Sequence, residues 1–355
     1  MKIPVTKCTY EELKKITPKQ QKPAKKPNIL FRTLLKLISL PDIWAVKFHS
    51  KKVGMEKLAR KEPCLILMNH CSFLDLEIAQ HVFYPRPLNI VTTWDGYVGK
   101  NWLMRQIGCI QTKKYSTSPK LLREIKSLLT KGSSVLIYPE AGYSFDGTAT
   151  TMGDGMGKLV KMLGVPLVTC ISDGAYLRQP LYNELKKRKL PVSAEVEYLL
   201  SPDEIAAMDY KQINEKIAEK FSFDAFRSQQ ERGLKIDAPN RADGLNRVLY
   251  KCPHCLAEGK TVGLGEKLTC LACGSHLSTF LTEDCGCTVT VIFIRCMSES
   301  FALGSLTKCA GLGLFAGRIC KIVCQGSAGG KAAYLAGCGS VPGGIGVIVR
   351  KGLCV

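Results

Sequence analysis

The sequence predicts an α/β fold with a mostly parallel central sheet flanked by helices. Short apolar runs of strand length recur between residues 50 and 240, at 64–68, 88–92, 134–138, 165–171 and 195–200. Stretches of helical period lie between them; in 121–129 the residues Leu121, Leu122, Ile125, Leu128 and Leu129 share one face. Strand and helix alternate, which is the order from which parallel sheets are built. With 355 residues and 46% hydrophobic content, the chain has enough apolar material for a large core, and global disorder is excluded.

The elements follow in order. Residues 1–28 carry eight Lys and little apolar content, and read as a basic arm. An amphipathic helix is predicted over 29–40, with Arg32, Thr33, Lys36 and Ser39 on one side and Leu30, Phe31, Leu34, Leu35, Leu37 and Ile38 on the other. It is too short and too charged to span a bilayer. Two readings remain for it: a helix lying in the interface of an anionic membrane, or one that packs its apolar side into the core. The first is adopted, which makes 1–48 a membrane-facing arm and helix. The α/β domain follows over 49–240, closed by charged helical sequence at 203–232.

Charge favours an anionic partner. The formal net charge is +20, and residues 1–61 hold 16 Lys/Arg against 4 Asp/Glu. The polar, Lys-rich start has no apolar stretch of the signal-peptide kind, so the expected location is cytoplasmic, peripherally associated with the inner face of the cell membrane. In a reducing compartment the 17 cysteines read as metal ligands where clustered and as core residues where scattered.

The sharpest signal is Asn69-His70-Cys71-Ser72-Phe73-Leu74-Asp75, directly after the first buried strand. The carboxyl ends of strands are where open α/β sheets place their ligands. If the backbone turns into a helix there, Asp75 reaches the His70 imidazole, fixes its tautomer and favours its protonated form. The pair is then a general base toward a hydroxyl. A structural, loop-bonded histidine is the competing reading of these two residues alone.

Three further segments accompany that motif in order: Gly108-Cys109-Ile110-Gln111-Thr112-Lys113-Lys114, Tyr138-Pro139-Glu140-Ala141-Gly142-Tyr143-Ser144 and Val165-Pro166-Leu167. With the His70/Asp75 pair they resemble the four sequence blocks of the glycerolipid (lysophosphatidic acid, or 1-acylglycerol-3-phosphate) acyltransferase family, over roughly residues 30–230. The resemblance implies transfer of a fatty acyl group from acyl-CoA or acyl-carrier protein to a lysophospholipid hydroxyl. His70 and Asp75 would be the catalytic pair, with backbone N–H groups near the motif for the oxyanion. Asn69, Lys113, Lys114, Glu140, Gly142 and Ser144 would be substrate-binding, with Glu140 orienting the acceptor or bracing its loop. Family members usually offer an arginine in the third block. Here Ala141, Gly142 and Tyr143 stand there, which leaves phosphate to Lys113 and Lys114.

Beyond the α/β domain, Cys252-Pro253-His254-Cys255 and Cys270-Leu271-Ala272-Cys273 form a C-x2-C-x14-C-x2-C pattern. Four thiolates close a tetrahedral site with no open position, so Cys252, Cys255, Cys270 and Cys273 predict a structural zinc ribbon over 248–280. Core cysteines without metal are the alternative. Residues 281–355 hold eight cysteines without ligand spacing and read as an irregular tail. The abrupt loss of acids there also fits a shifted reading frame.

Two other functions compete. A zinc ribbon on a basic chain suits a nucleic-acid-binding protein. Against nucleic acid, the basic excess lies far from the ribbon, and His70, Asp75 and Glu140 go unused. A catalytically inactive lipid-binding relative is the other, motivated by the missing arginine.

Overall fold

A computed structural model describes residues 23–93, 101–112, 118–150 and 152–278, together with Thr9, Glu11 and a short strand at Arg295–Cys296. Lys113, Lys114 and, apart from that strand, the tail beyond residue 278 lie outside the described residues.

The α/β domain is a seven-stranded sheet. Its strands are β1 (His49–Val53), β2 (Leu65–Met68), β3 (Leu88–Thr93), β4 (Cys109–Thr112), β5 (Ser134–Ile137), β6 (Leu167–Asp173) and β7 (Ser193–Leu200), in the order β1-β7-β6-β2-β5-β3-β4. Every neighbouring pair is parallel except β6 and β7. The five predicted strands are all present. The two that the sequence did not announce are the edges: β1 reads His-Ser-Lys-Lys-Val and is almost wholly exposed, and β4 is four residues long. Short or lysine-bearing edge strands resist pairing with other chains, and their composition hides them from a search for apolar runs.

Alternate residues of the central strands feed two cores. Ile66, Met68, Ile90, Leu136 and Val168 meet helices α1 (Ile29–Ala45) and α2 (Leu74–Phe83) on one face, through Ile43, Ile78 and Phe83. Leu65, Leu67, Val135, Ile137 and Leu167 point to the other face. There they meet Ile125, Leu128 and Leu129 of α4 (Pro119–Thr130), and Ile213, Ile217 and Phe221 at α8 (Tyr210–Lys220). Each such side chain contributes about 1.5–3 kcal/mol on burial. The short α3 (Asn101–Gln106), α5 (Gly155–Leu163), α6 (Ala175–Arg178), α7 (Pro202–Ala207) and α9 (Ala225–Glu231) complete the layers. The charged sequence predicted to close the domain as helix is thus three helices, α7 to α9.

Helix α1 is mounted with its polar side inward. Arg32 donates to the Pro85 carbonyl, the Thr33 hydroxyl pairs with Tyr84 at 3.1 Å, the Lys36 ammonium lies over the Tyr84 ring, and Ser39 is buried. Leu30, Leu34, Leu37, Ile38 and Trp44 are 49–70% exposed. Asp42, near the helix's end, pairs with Lys187 and with Arg178, close to the first turn of α2. Among the described residues no helix is long and apolar enough to cross a membrane.

The cysteine-bearing unit is a small antiparallel sheet of β8 (Thr261–Leu264), β9 (Lys267–Cys270), β10 (His276–Ser278) and β11 (Arg295–Cys296). A strap over residues 240–249 welds it to the α/β domain. Ala242 and Gly244 donate to the carbonyls of Gly265 and Gly263, while Asn183 donates to the carbonyls of Asn240 and Asp243. At Gly244, φ is +74° and a Cβ would collide with the Tyr182 carbonyl, so only glycine lets the strap lie this close. Ala242, Leu245 and Leu268 belong to the same core as Ile66.

Candidate active site

Strand β2 is buried at all four residues and ends at Met68, so the next residues emerge at the carboxyl edge of the sheet. Asn69 is buried and fastens that end to β6. Its side chain donates to the Ser172 carbonyl at 2.9 Å, accepts from the Ser172 amide at 2.7 Å and from its hydroxyl at 3.1 Å, and lies 3.4 Å from the Cys71 sulfur. The chain then turns into α2.

Asp75, in the first turn of that helix, is fully buried. One of its oxygens accepts from the Cys71 amide at 2.7 Å and the Ser72 amide at 2.9 Å, and lies 3.0 Å from His70 Nδ1. Two backbone donors satisfy the buried charge and fix its direction. With Nδ1 turned to Asp75, Nε2 of His70 is left for other chemistry. The His70 side chain is 22% exposed.

The turn after β5 lies against this pair. Ser144 N–H donates to the His70 carbonyl at 2.7 Å, and the buried Ser144 hydroxyl donates to the Thr148 carbonyl and accepts from the Gly147 amide. The Tyr138 and Tyr143 rings sit 4.0 and 4.2 Å, centroid to centroid, from the imidazole. Glu140 is buried and neither carboxyl oxygen has a hydrogen-bond partner. Burial, reinforced by the charge of Asp75, pushes its pKa up to about 8. A Cβ on Gly142 would meet nothing within 4 Å, so that position opens onto free space. Burial, with Asp75 and Glu140 nearby, drives the Cys71 thiol well above its ordinary pKa, which is the opposite of what an acyl-accepting thiolate needs.

The structure therefore brings together His70, Asp75, Asn69, Glu140, Gly142 and Ser144. Sequence reasoning did not find Ser172, Tyr138 or Tyr143 as partners of the motif, because contacts between strands far apart in the chain leave no local spacing to read.

In the ribbon, the four sulfurs of Cys252, Cys255, Cys270 and Cys273 all lie within 4.8 Å of one another. The Cys252–Cys273 and Cys255–Cys270 separations are 3.8 and 3.7 Å. A disulfide requires about 2.05 Å, whereas tetrahedral thiolates at about 2.3 Å from zinc stand about 3.8 Å apart. The donor set fits a closed metal site.

The sheet is open and largely parallel, with a histidine–carboxylate pair at the end of a central strand. Residues 49–173, which build that strand and its pair, match the family model described as Acyltransferase. It is also similar to the crystal structure of the 1-acyl-sn-glycerophosphate (LPA) acyltransferase PlsC from Thermotoga maritima, at 16% identity and a TM-score of 0.43. That similarity covers 54% of this chain and 76% of the other.

Proposed function

We propose that this protein transfers a fatty acyl group from acyl-CoA or an acyl-carrier protein to a hydroxyl of a lysophospholipid. The observation that carries this reading is the 3.0 Å contact of His70 Nδ1 with the buried, doubly amide-bonded Asp75. His70 Nε2 takes the proton of the acceptor hydroxyl as its oxygen attacks the thioester carbon. The carbon–sulfur bond then breaks, and the imidazolium returns the proton to the departing thiolate. Asp75 steadies the imidazolium.

Asn69 and Ser144, whose side chains are spent on Ser172 and on their own turn, shape the site rather than touch the acceptor. Glu140 braces the turn. Gly142 leaves room beside it, and Lys113 and Lys114 supply charge for an anionic headgroup.

The exposed apolar side of α1 and the basic arm before it favour docking on an anionic membrane, with the carboxyl end of α1 near the first turn of α2. The ribbon holds zinc through Cys252, Cys255, Cys270 and Cys273 as a structural site; all four positions are taken by protein, leaving none for substrate.

The test is mass spectrometry of products formed by purified protein from acyl-CoA or acyl-carrier protein and a panel of lysophospholipids on anionic vesicles. A product heavier by one acyl group is expected. No product from any pairing would sink the reading.

A further inference from the structure

The acyl-transfer reading assigns work to His70 and Asp75, and leaves unexplained why a tyrosine of the next turn lies on the imidazole. A single hydrogen bond to Asp75 fixes one ring nitrogen but does not fix the ring plane. The rings do. Tyr138 lies 20° from parallel with the imidazole at 4.0 Å, and Tyr143 is tilted by 38° at 4.2 Å.

The turn that delivers Tyr143 is held in place with some effort. Ala141 has φ +55°, in the left-handed region that a residue with a Cβ enters at a cost, although glycine stands next to it. Backbone strain of this kind persists where the surroundings over-determine it, and it gathers at working sites. Here the surroundings are visible. The Ser144 amide is bonded to the His70 carbonyl, the Ser144 hydroxyl ties Thr148 and Gly147, and the Ala141 amide donates to the Tyr138 carbonyl. Backbone and ring thus grip His70 from one turn.

We propose that Tyr143 is a positioning residue for His70, which holds the imidazole plane and favours its protonated form as the acceptor's proton arrives. The inference rests on the acyl-transfer reading for its function and on ring geometry for its contact. An aromatic face carries a negative quadrupole, and a cation within about 6 Å of its centroid is attracted to it. Neutral imidazole gains little from that face. Imidazolium, which forms as the proton is taken, gains more, so the contact acts on the barrier more than on acceptor binding. Tyr138 contributes from the core side, where its partly buried ring also packs against the hydrophobic core. Tyr143 is half-buried and is the ring that a substitution can remove with less damage.

The experiment compares wild type, Tyr143→Leu and Tyr143→Phe. Proton NMR of His70, assigned with His70→Ala, should place its ring protons upfield through ring current in wild type and Tyr143→Phe, and shift them downfield in Tyr143→Leu. In steady-state acyl transfer, Tyr143→Leu should lose about 3- to 30-fold in kcat with KM within about twofold, and Tyr143→Phe, which keeps the ring face, should recover the loss. His70 ring protons unmoved by Tyr143→Leu would overturn the contact. A Tyr143→Leu enzyme with wild-type kcat, or a loss carried in KM alone, would overturn the role. Wild type that transfers no acyl group at all would instead remove the underlying reading, and the NMR result would still decide the contact.

Discussion

The loop after β2 and the ribbon both gather reactive atoms into a few ångströms, by opposite means. Around His70 the protein supplies every constraint: two backbone amides on Asp75, a buried Asn69 tied to Ser172, and the Ser144 amide on the His70 carbonyl. In the ribbon the four sulfurs converge at 3.7–3.8 Å in pairs, with two of the four cysteines exposed and little core beneath them. The first site is pre-organised by folding, as the proposed general base requires. The second offers four sulfurs within 4.8 Å of one another, a donor set that an ion would complete. The strap over 240–249 joins the two, so the ribbon's stability reaches into the core that carries β2.

The comparison breaks most readily at the metal. Structural zinc in thiolate sites is worth about 10–16 kcal/mol at pH 7, against a typical total stability of about 5–15 kcal/mol. Purified, reduced protein should contain one zinc per chain. Stripping it with chelator, or substituting Cys252→Ser, should collapse the ribbon and lower the melting midpoint of the whole chain through Ala242, Leu245 and Leu268. A metal-free chain with unchanged melting would show that the ribbon, like the loop after β2, is held by protein alone.

A smaller effect sharpens the other side. Asn69→Ala removes the partners of the buried Ser172 amide and carbonyl, and should cost about 1–3 kcal/mol in chemical denaturation. An unchanged midpoint would mean that the strand end is fixed by something other than Asn69.

A third effect lies in pH. The pKa of Glu140 is raised to about 8 from an ordinary 4.5, chiefly by burial. Between those values the folded chain binds more protons than the unfolded one, so this residue's contribution to stability falls as pH rises through that window. Glu140→Gln should flatten that part of the stability–pH curve. An identical slope in both proteins would mean that Glu140 is already ionised below neutral pH.

Legibility followed locality. The His70–Asp75 pair and the four cysteines were readable because their partners lie within one turn or one ribbon. The central strands were readable from their apolar runs, whereas β1, with two lysines in five residues, was not. For α1, periodicity separated the polar and apolar sides, but nothing in the sequence said which would face the protein; Tyr84 and Pro85, which receive the polar side, are about fifty residues away. The tyrosines on His70 were hidden for the same reason, since β2 and β5 become neighbours only when the sheet forms.

The central claim is that Nε2 of His70, steadied by Asp75, accepts a proton from the acceptor hydroxyl. Its most direct test is the rate of acyl transfer by wild type and His70→Ala at equal, saturating donor and acceptor, with both proteins shown to be folded. The account predicts a loss of about 10²- to 10⁴-fold in kcat. Equal turnover by the two proteins would contradict it.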